Sequence, residues 1–434
     1  MELLFILAFV GICAISALRP PWAFALVLLM FPLEQVMQAH CPALRSGVAA
    51  QAVNYGVALS SFIACIRVTF RGGGFVNWMN TVMLSTMGLY LWSIITLLWS
   101  PGRTVGLETI GAQWPYFCLI ILIAPLLIKD VDDIGASLRA FLWIGMPLGF
   151  VTAFSPEFAS KYGRIGFEIG MGYRSNPLAI GELGGGLLVI GATLRKGVIP
   201  VAGTIIRIVA VILGAMVAIK AGSRGQFFIA IVVAIAFIPV SAPLRNPVAF
   251  VSSVVGIGVV LAAASVLLST ELDGFAAKRF SSDEMLYGES SVSGRLSNFF
   301  VLAEAYLRSP TAIFLGLGYS TFTTLPGGMG EPYSHILFAD ALFELGIPGA
   351  VLMSTIIWIG CRSSYQLQKQ SVDDPLRRAV LATVGALLAY QILLVNKQGS
   401  LWGTPILFPL LTIMLRVYLN EQTAHPEQSN AIET

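Results

Sequence analysis

The chain is poor in charge. Only 11% of its 434 residues are Asp, Glu, Lys or Arg, against about 25% in an ordinary soluble domain, so a soluble globular protein is excluded. Net charge is +3, too small for a nucleic-acid partner, and none is expected. Five cysteines show neither paired nor metal-ligand spacing, and most lie inside apolar runs, where a thiol behaves as a small hydrophobe. No outward-facing D-x-D is present to hold a divalent ion, so neither metal nor cofactor is expected. Histidine is scarce too, with three in the whole chain.

What is there is apolar sequence. Mean hydropathy is +0.81, and runs long enough to satisfy their own backbone inside a bilayer follow one another with little pause. The spans predicted are 2–18, 22–38, 48–68, 79–99, 113–128, 134–154, 177–194, 199–219, 226–242, 247–269, 348–362, 377–395 and 401–418. The first lacks the basic leader of a cleavable signal and is expected to be retained. The fold class is therefore all-α and polytopic, with about 12–13 transmembrane helices. It divides into N-terminal helices (1–154), central helices with basic loops (155–269), a long polar outer segment (270–347), C-terminal helices (348–419) and a polar tail (420–434).

Lys and Arg mark cytoplasmic loops. Arg362, Lys369, Arg377 and Arg378 put the connection 361–378 inside, which places 270–347 outside. Yet Arg164, Arg174, Lys220, Arg224, Lys278, Arg279, Arg295 and Arg308 also fall outside, and that surplus calls for an anionic partner there. Arg195, Arg207, Arg245 and Arg416, at span ends, read as snorkelling anchors. GGG at 184–186 reads as a place where helices approach closely. His40 and His425 read as surface residues.

Within the outer segment, Leu296, Phe299, Phe300, Ala303 and Leu307 recur at helical spacing, predicting an amphipathic helix on or near the membrane surface. Residues 309–334, broken by Gly and Pro, read as loop. Beyond them comes SHILFADALFELGIPG, 334–349. As one straight span it would bury Asp340 and Glu344 in hydrocarbon, at about 3 kcal/mol each. Gly346, Pro348 and Gly349 allow a break instead. The reading adopted is a short interfacial helix over 335–345 with its acids near water, and a span starting at Pro348.

Four stretches together resemble the bacterial O-antigen polymerase and O-antigen ligase superfamily. His335 followed by Glu344-Leu-Gly346-Ile-Pro-Gly349 is similar to the family's His and E-x-G-x-x-G cluster, with Ile336 where members usually carry Asn. SGRLSNFFVLAEAYLRSPTAIFLGLGYSTF (293–322), KAGSRGQ (220–226) and GRIGFEIGMGYRSNPLAIGEL (163–183) resemble its other outer motifs. The resemblance implies an inner-membrane glycosyltransferase without metal, its active site facing the periplasm. The donor would be a glycan on undecaprenyl diphosphate and the acceptor a second lipid-linked glycan (polymerase, the reading preferred) or lipid A core (ligase). A flippase and a chain-length regulator are the implied protein partners, beside the lipid bilayer. Arg224 and Arg295 would bind the diphosphate, with Arg174, Arg164 and Lys220 as weaker ligands for diphosphate or glycan. His335 would be the base or the group orienting the acceptor, Glu344 or Asp340 would hold its ring or simply cap the helix, and Tyr319 and Tyr333 would stack on sugars. The reading from another class is a secondary transporter of an anionic solute. No internal repeat supports it.

Overall fold

The computed structural model describes residues 2–70, 74–158, 160–161, 164–165, 177–199, 203–242, 251, 255–256, 258, 292–326, 334–403 and 406–424. Its helices in chain order are α1 Glu2–Leu18, α2 Pro20–Leu28, α3 Met30–His40, α4 Ala52–Phe70, α5 Thr81–Thr96, α6 Arg103–Tyr116, α7 Val131–Phe154, α8 Pro177–Thr193, α9 Gly203–Lys220 and α10 Arg224–Ser241. After these come α11 Val292–Arg308, α12 Pro310–Leu315, α13 Leu337–Phe343, α14 Gly346–Gln370, α15 Pro375–Gln398 and α16 Leu407–Ala424. Apart from short 3-10 and π segments, the one other regular element among the described residues is a two-residue antiparallel pair, β1 Ser160–Lys161 and β2 Arg164–Ile165. The protein is an all-α polytopic membrane protein.

Every predicted span except 247–269, which lies almost wholly outside the described residues, coincides with a helix. Seven described helices are long and apolar enough to cross a membrane, eight if a bent pair is one span. Helices α1, α5 and α8 are apolar but fall short of the roughly 20 residues a bilayer needs. The predicted straight span 22–38 is α2 and α3, which meet at 70°. Pro32 explains the break: its ring collides with the carbonyl four residues back, at Leu28, where α2 ends. The connection 361–378 is mostly helix, because α14 runs on to Gln370.

The chain divides into two units. The first comprises 1–74, 126–281 and 367–390. Its α8 and α9 touch backbone to backbone, since a Cβ on Gly184 would lie 2.6 Å from the Ala218 nitrogen and 2.7 Å from the Gly214 oxygen. This is the close approach expected of GGG. Arg207, read as an anchor, donates to the Gly191 and Ala192 carbonyls, both at 3.1 Å, capping the end of α8. His40 is not a free surface residue. Its Nδ1 meets the Val36 carbonyl and its Nε2 the Ser155 hydroxyl, both at 2.9 Å, and its ring stacks on Phe5.

The second unit comprises 75–125, 282–366 and 391–434. Here α6 starts ten residues before the predicted span and passes through Pro115 into a π-helical stretch, Phe117–Ile123. A proline strips one helical hydrogen bond, and the widened turn follows it. Arg416 is fully buried rather than snorkelling. It donates to the carbonyls of Pro125 (2.6 Å) and Val76 (3.2 Å), which solvate the cation in place of water. The segment 292–343 has its own core of Leu302, Tyr306, Ala312, Phe322, Ala339 and Phe343. The predicted amphipathic helix is α11, but Phe299 and Ala303 pack inward while Leu296, Phe300 and Leu307 stay exposed. The stretch read as loop contains α12, with Pro310 at its first turn.

Candidate functional site

The site in the second unit is built on glycine. Gly316 (φ +81°), Gly318 (φ +100°) and Gly346 (φ +67°) adopt left-handed conformations, which a residue without Cβ reaches without penalty. The chain can therefore turn sharply after α12 and again before α14. The 317–322 turn lies along the end of α13, with Leu317 N donating to Phe343 O (2.9 Å) and Gly318 N to Glu344 O (2.8 Å). The Glu344 side chain completes the seam: Oε2 accepts from Ser320 N at 3.0 Å and Oε1 from Phe322 N at 2.9 Å. Two indoles close the back. Trp92 Nε1 donates to Leu345 O (2.7 Å) and Trp99 Nε1 to Gly316 O (3.1 Å).

The sequence led us to expect these acids near water, and the structure buries them instead. Asp340 is 6% exposed and Glu344 3%, tolerated there because amides and a hydroxyl replace their hydration. Glu344 spends both oxygens on backbone amides. Burial pushes its carboxyl up to about 7, with the Phe322, Ser320 and Thr321 amides opposing. Burial, then the neighbouring Glu344 charge, holds Asp340 well above the carboxylate range, against the Ser334 hydrogen bond.

The sign of the pH effect follows. A carboxyl with a raised pKa keeps its proton in the folded protein while the unfolded chain releases it. Stability is then greatest below about 4.5 and is lost as pH rises through about 7. The expected result is a thermal midpoint in detergent that falls between pH 5 and pH 8, measured at one scan rate. Asp340→Asn flattens this slope by removing that residue's share.

His335 stands at the lip of the same seam. It is half-buried, with φ +70°, a region costing a non-glycine residue about 1–3 kcal/mol unless its surroundings enforce it. They do so on both sides. Asn298 Nδ2 donates to Ser334 O (3.4 Å), and Ile336 N to Ser334 Oγ (3.1 Å). The buried Ser334 hydroxyl in turn donates to Asp340 Oδ1. Arg295 lies three residues before Asn298 on α11, hence on the helix face that reaches Ser334. The structure thus brings His335, Asp340 and Glu344 to one corner, with Asn298 of α11 against it. Tyr319 belongs to it only as packing: at 7% exposed it offers no face to a sugar. Tyr333 lies outside the described residues.

Of the cations predicted elsewhere, Lys220 is 5% exposed and donates to Ala153 O (2.8 Å) and Thr152 O (3.3 Å), the terminal carbonyls of α7. That is a helix-end contact favoured by the dipole, not a hand held out to substrate. Arg224 differs. It opens α10, where a cation opposes the helix dipole, and its Nη1 is buried without an acceptor. Gln226 Nε2 bonds Leu178 O (2.9 Å), joining the first turns of α10 and α8. Two helix N-termini and an unsatisfied guanidinium nitrogen make this a place for an anion. Arg164 sits on β2 opposite Lys161, and Arg174 lies outside the described residues.

Sequence reasoning missed Ser334, Asn298 and the two indoles. Their partners are backbone atoms or buried acids, which leave no residue-type signature. No curated protein matches the chain. Residues 209–354, about a third of it, match the family model described as O-antigen ligase. The matched stretch contains Lys220, Arg224, Arg295, His335 and Glu344, and leaves Arg164 and Arg174 outside. That match supports the resemblance of the chain to the O-antigen polymerase and ligase superfamily.

Proposed function

We propose that the protein transfers a glycan from undecaprenyl diphosphate to a sugar hydroxyl on the periplasmic side of the inner membrane, polymerising O-antigen or exopolysaccharide repeats. The observation that carries the reading is the corner at His335, where a titratable ring is held in a strained backbone above the buried Asp340 and Glu344. In the reaction the bond from the anomeric carbon to the diphosphate breaks as the bond to the acceptor oxygen forms. His335 accepts the hydroxyl proton, and arginine neutralises charge building on the leaving diphosphate. Arg295, on α11, is proposed for that role. Arg224, with its unsatisfied donor, is a further ligand for diphosphate or glycan, and Lys220 is reassigned to capping α7. Glu344 is a positioning residue, its oxygens committed to the 320–322 turn.

A ligase using lipid A core as acceptor is the second reading, favoured by the description of the matched family. The test is purified protein supplied with an undecaprenyl-diphosphate-linked repeat, with glycan length on the lipid read by gel. Wild type is expected to build a ladder, and His335→Ala to slow it by roughly 10²–10⁴-fold. Arg295→Ala is expected to slow it by about 10²-fold. Product formed only when lipid A core is added assigns the ligase reaction. Full activity in His335→Ala overturns the site.

A further inference from the structure

We infer that Ser334 and Asp340 are positioning residues that hold His335 in its working conformation, and that Asp340 does so as a hydrogen-bond acceptor rather than as a charge. The inference rests on His335 being the base proposed above.

The geometry is a two-step support. A non-glycine residue stays at φ +70° only where its neighbours fix both flanking peptides. Ser334 fixes them, its carbonyl taken by Asn298 and its Oγ receiving Ile336 N (3.1 Å). The Oγ can receive that N–H in the right orientation only if its own proton points elsewhere, and Asp340 Oδ1 is where it points. Asp340 is itself anchored, since α13 carries it one turn on, with Asp340 N bonded to Ile336 O at 3.0 Å. The loop from Ser334 through His335 and Ile336 to Asp340 thus closes on itself, its two hydrogen-bonding side chains buried and His335 half-exposed.

Charge on Asp340 is not what this needs. Glu344, one turn further, is fixed by two amides that favour its ionised form, and a second buried negative charge beside it is repelled. An amide at position 340 accepts the Ser334 proton equally well.

The experiment measures kcat/KM with the undecaprenyl-diphosphate-linked repeat for five variants, with thermal midpoints to report folding. Ser334→Ala and Asp340→Leu are expected to lose on the order of 10–100-fold, as a displaced base does. Asp340→Asn is expected to stay within about threefold of wild type. The decisive form combines Ser334→Ala with His335→Ala. If Ser334 acts through His335, the double variant is no slower than His335→Ala alone, whereas independent damage multiplies. Multiplying losses, or Asp340→Asn as slow as Asp340→Leu, overturn the inference. So does full activity in Ser334→Ala when His335→Ala is inactive. Should Ser334→Ala fail to fold, the Asp340→Asn and Asp340→Leu pair still decides. Activity in His335→Ala instead sinks the proposed function, a separate outcome.

Discussion

Gly346→Ala is expected to leave almost no folded protein. A Cβ there would sit 2.6 Å from the Phe314 carbonyl oxygen and 2.7 Å from the Leu315 carbonyl carbon. Both are backbone atoms that cannot swing aside. The residue also has φ +67°, which costs alanine about 1–2 kcal/mol before any contact is counted. Relief requires the 314–318 turn to lift from the start of α14, and lifting it breaks the bonds from Leu317 and Gly318 to Phe343 and Glu344. Strain plus lost buried hydrogen bonds comes to roughly 4 kcal/mol or more, the range that unfolds marginal proteins. Gly316→Ala meets the same backbone from the other side, 2.6 Å from the Gly346 nitrogen, and should behave alike. Gly11→Ala is the control, since no atom lies within 4 Å of the added carbon. The readout is the monodisperse fraction on size exclusion after solubilisation: at least a tenfold fall for Gly346→Ala and none for Gly11→Ala. Normal recovery of Gly346→Ala would mean the two glycines are not in contact.

The second large effect separates two roles for Glu344. Replacing it by Ala strands the Ser320 and Phe322 amides in a dry site, at about 1–3 kcal/mol each. Glu344→Gln keeps one acceptor and sets an NH2 against the other donor, so about half of that is lost. The expected order of thermal midpoint is wild type, then Gln, then Ala, separated by several degrees, with activity following the folded fraction. A residue that touched the reacting atoms would behave otherwise. Glu344→Gln would then fold like wild type and fail to turn over, and that result would return Glu344 to catalysis.

Much of the helical frame was legible because bilayer solubility is written in runs of apolar side chains. Where the reading slipped, the reason was local. The first turns of α6 are RTVGLETIG, polar enough to fall outside a hydropathy span although nothing in them breaks a helix. In 309–334, Gly and Pro spoke for loop, but Pro310 opens α12 and Gly316 closes it. Of the corner at His335, the residue types stand out in the sequence and the wiring does not. Glu344 binds amides 22 and 24 positions upstream, and Lys220 and Arg416 bind carbonyls. Every residue carries such groups, so no pattern of side chains announces them. An acid in a short helix ahead of a span looked as if it needed water, when what it needed was backbone.

The contact of Gly316 with Gly346 also has a mechanical meaning. It welds the core of 292–343 to the first turn of α14, so these parts tilt together. A spanning helix answers a thicker or thinner bilayer by changing its tilt. Through the glycine contact and α13, a change in that tilt would carry His335 with it.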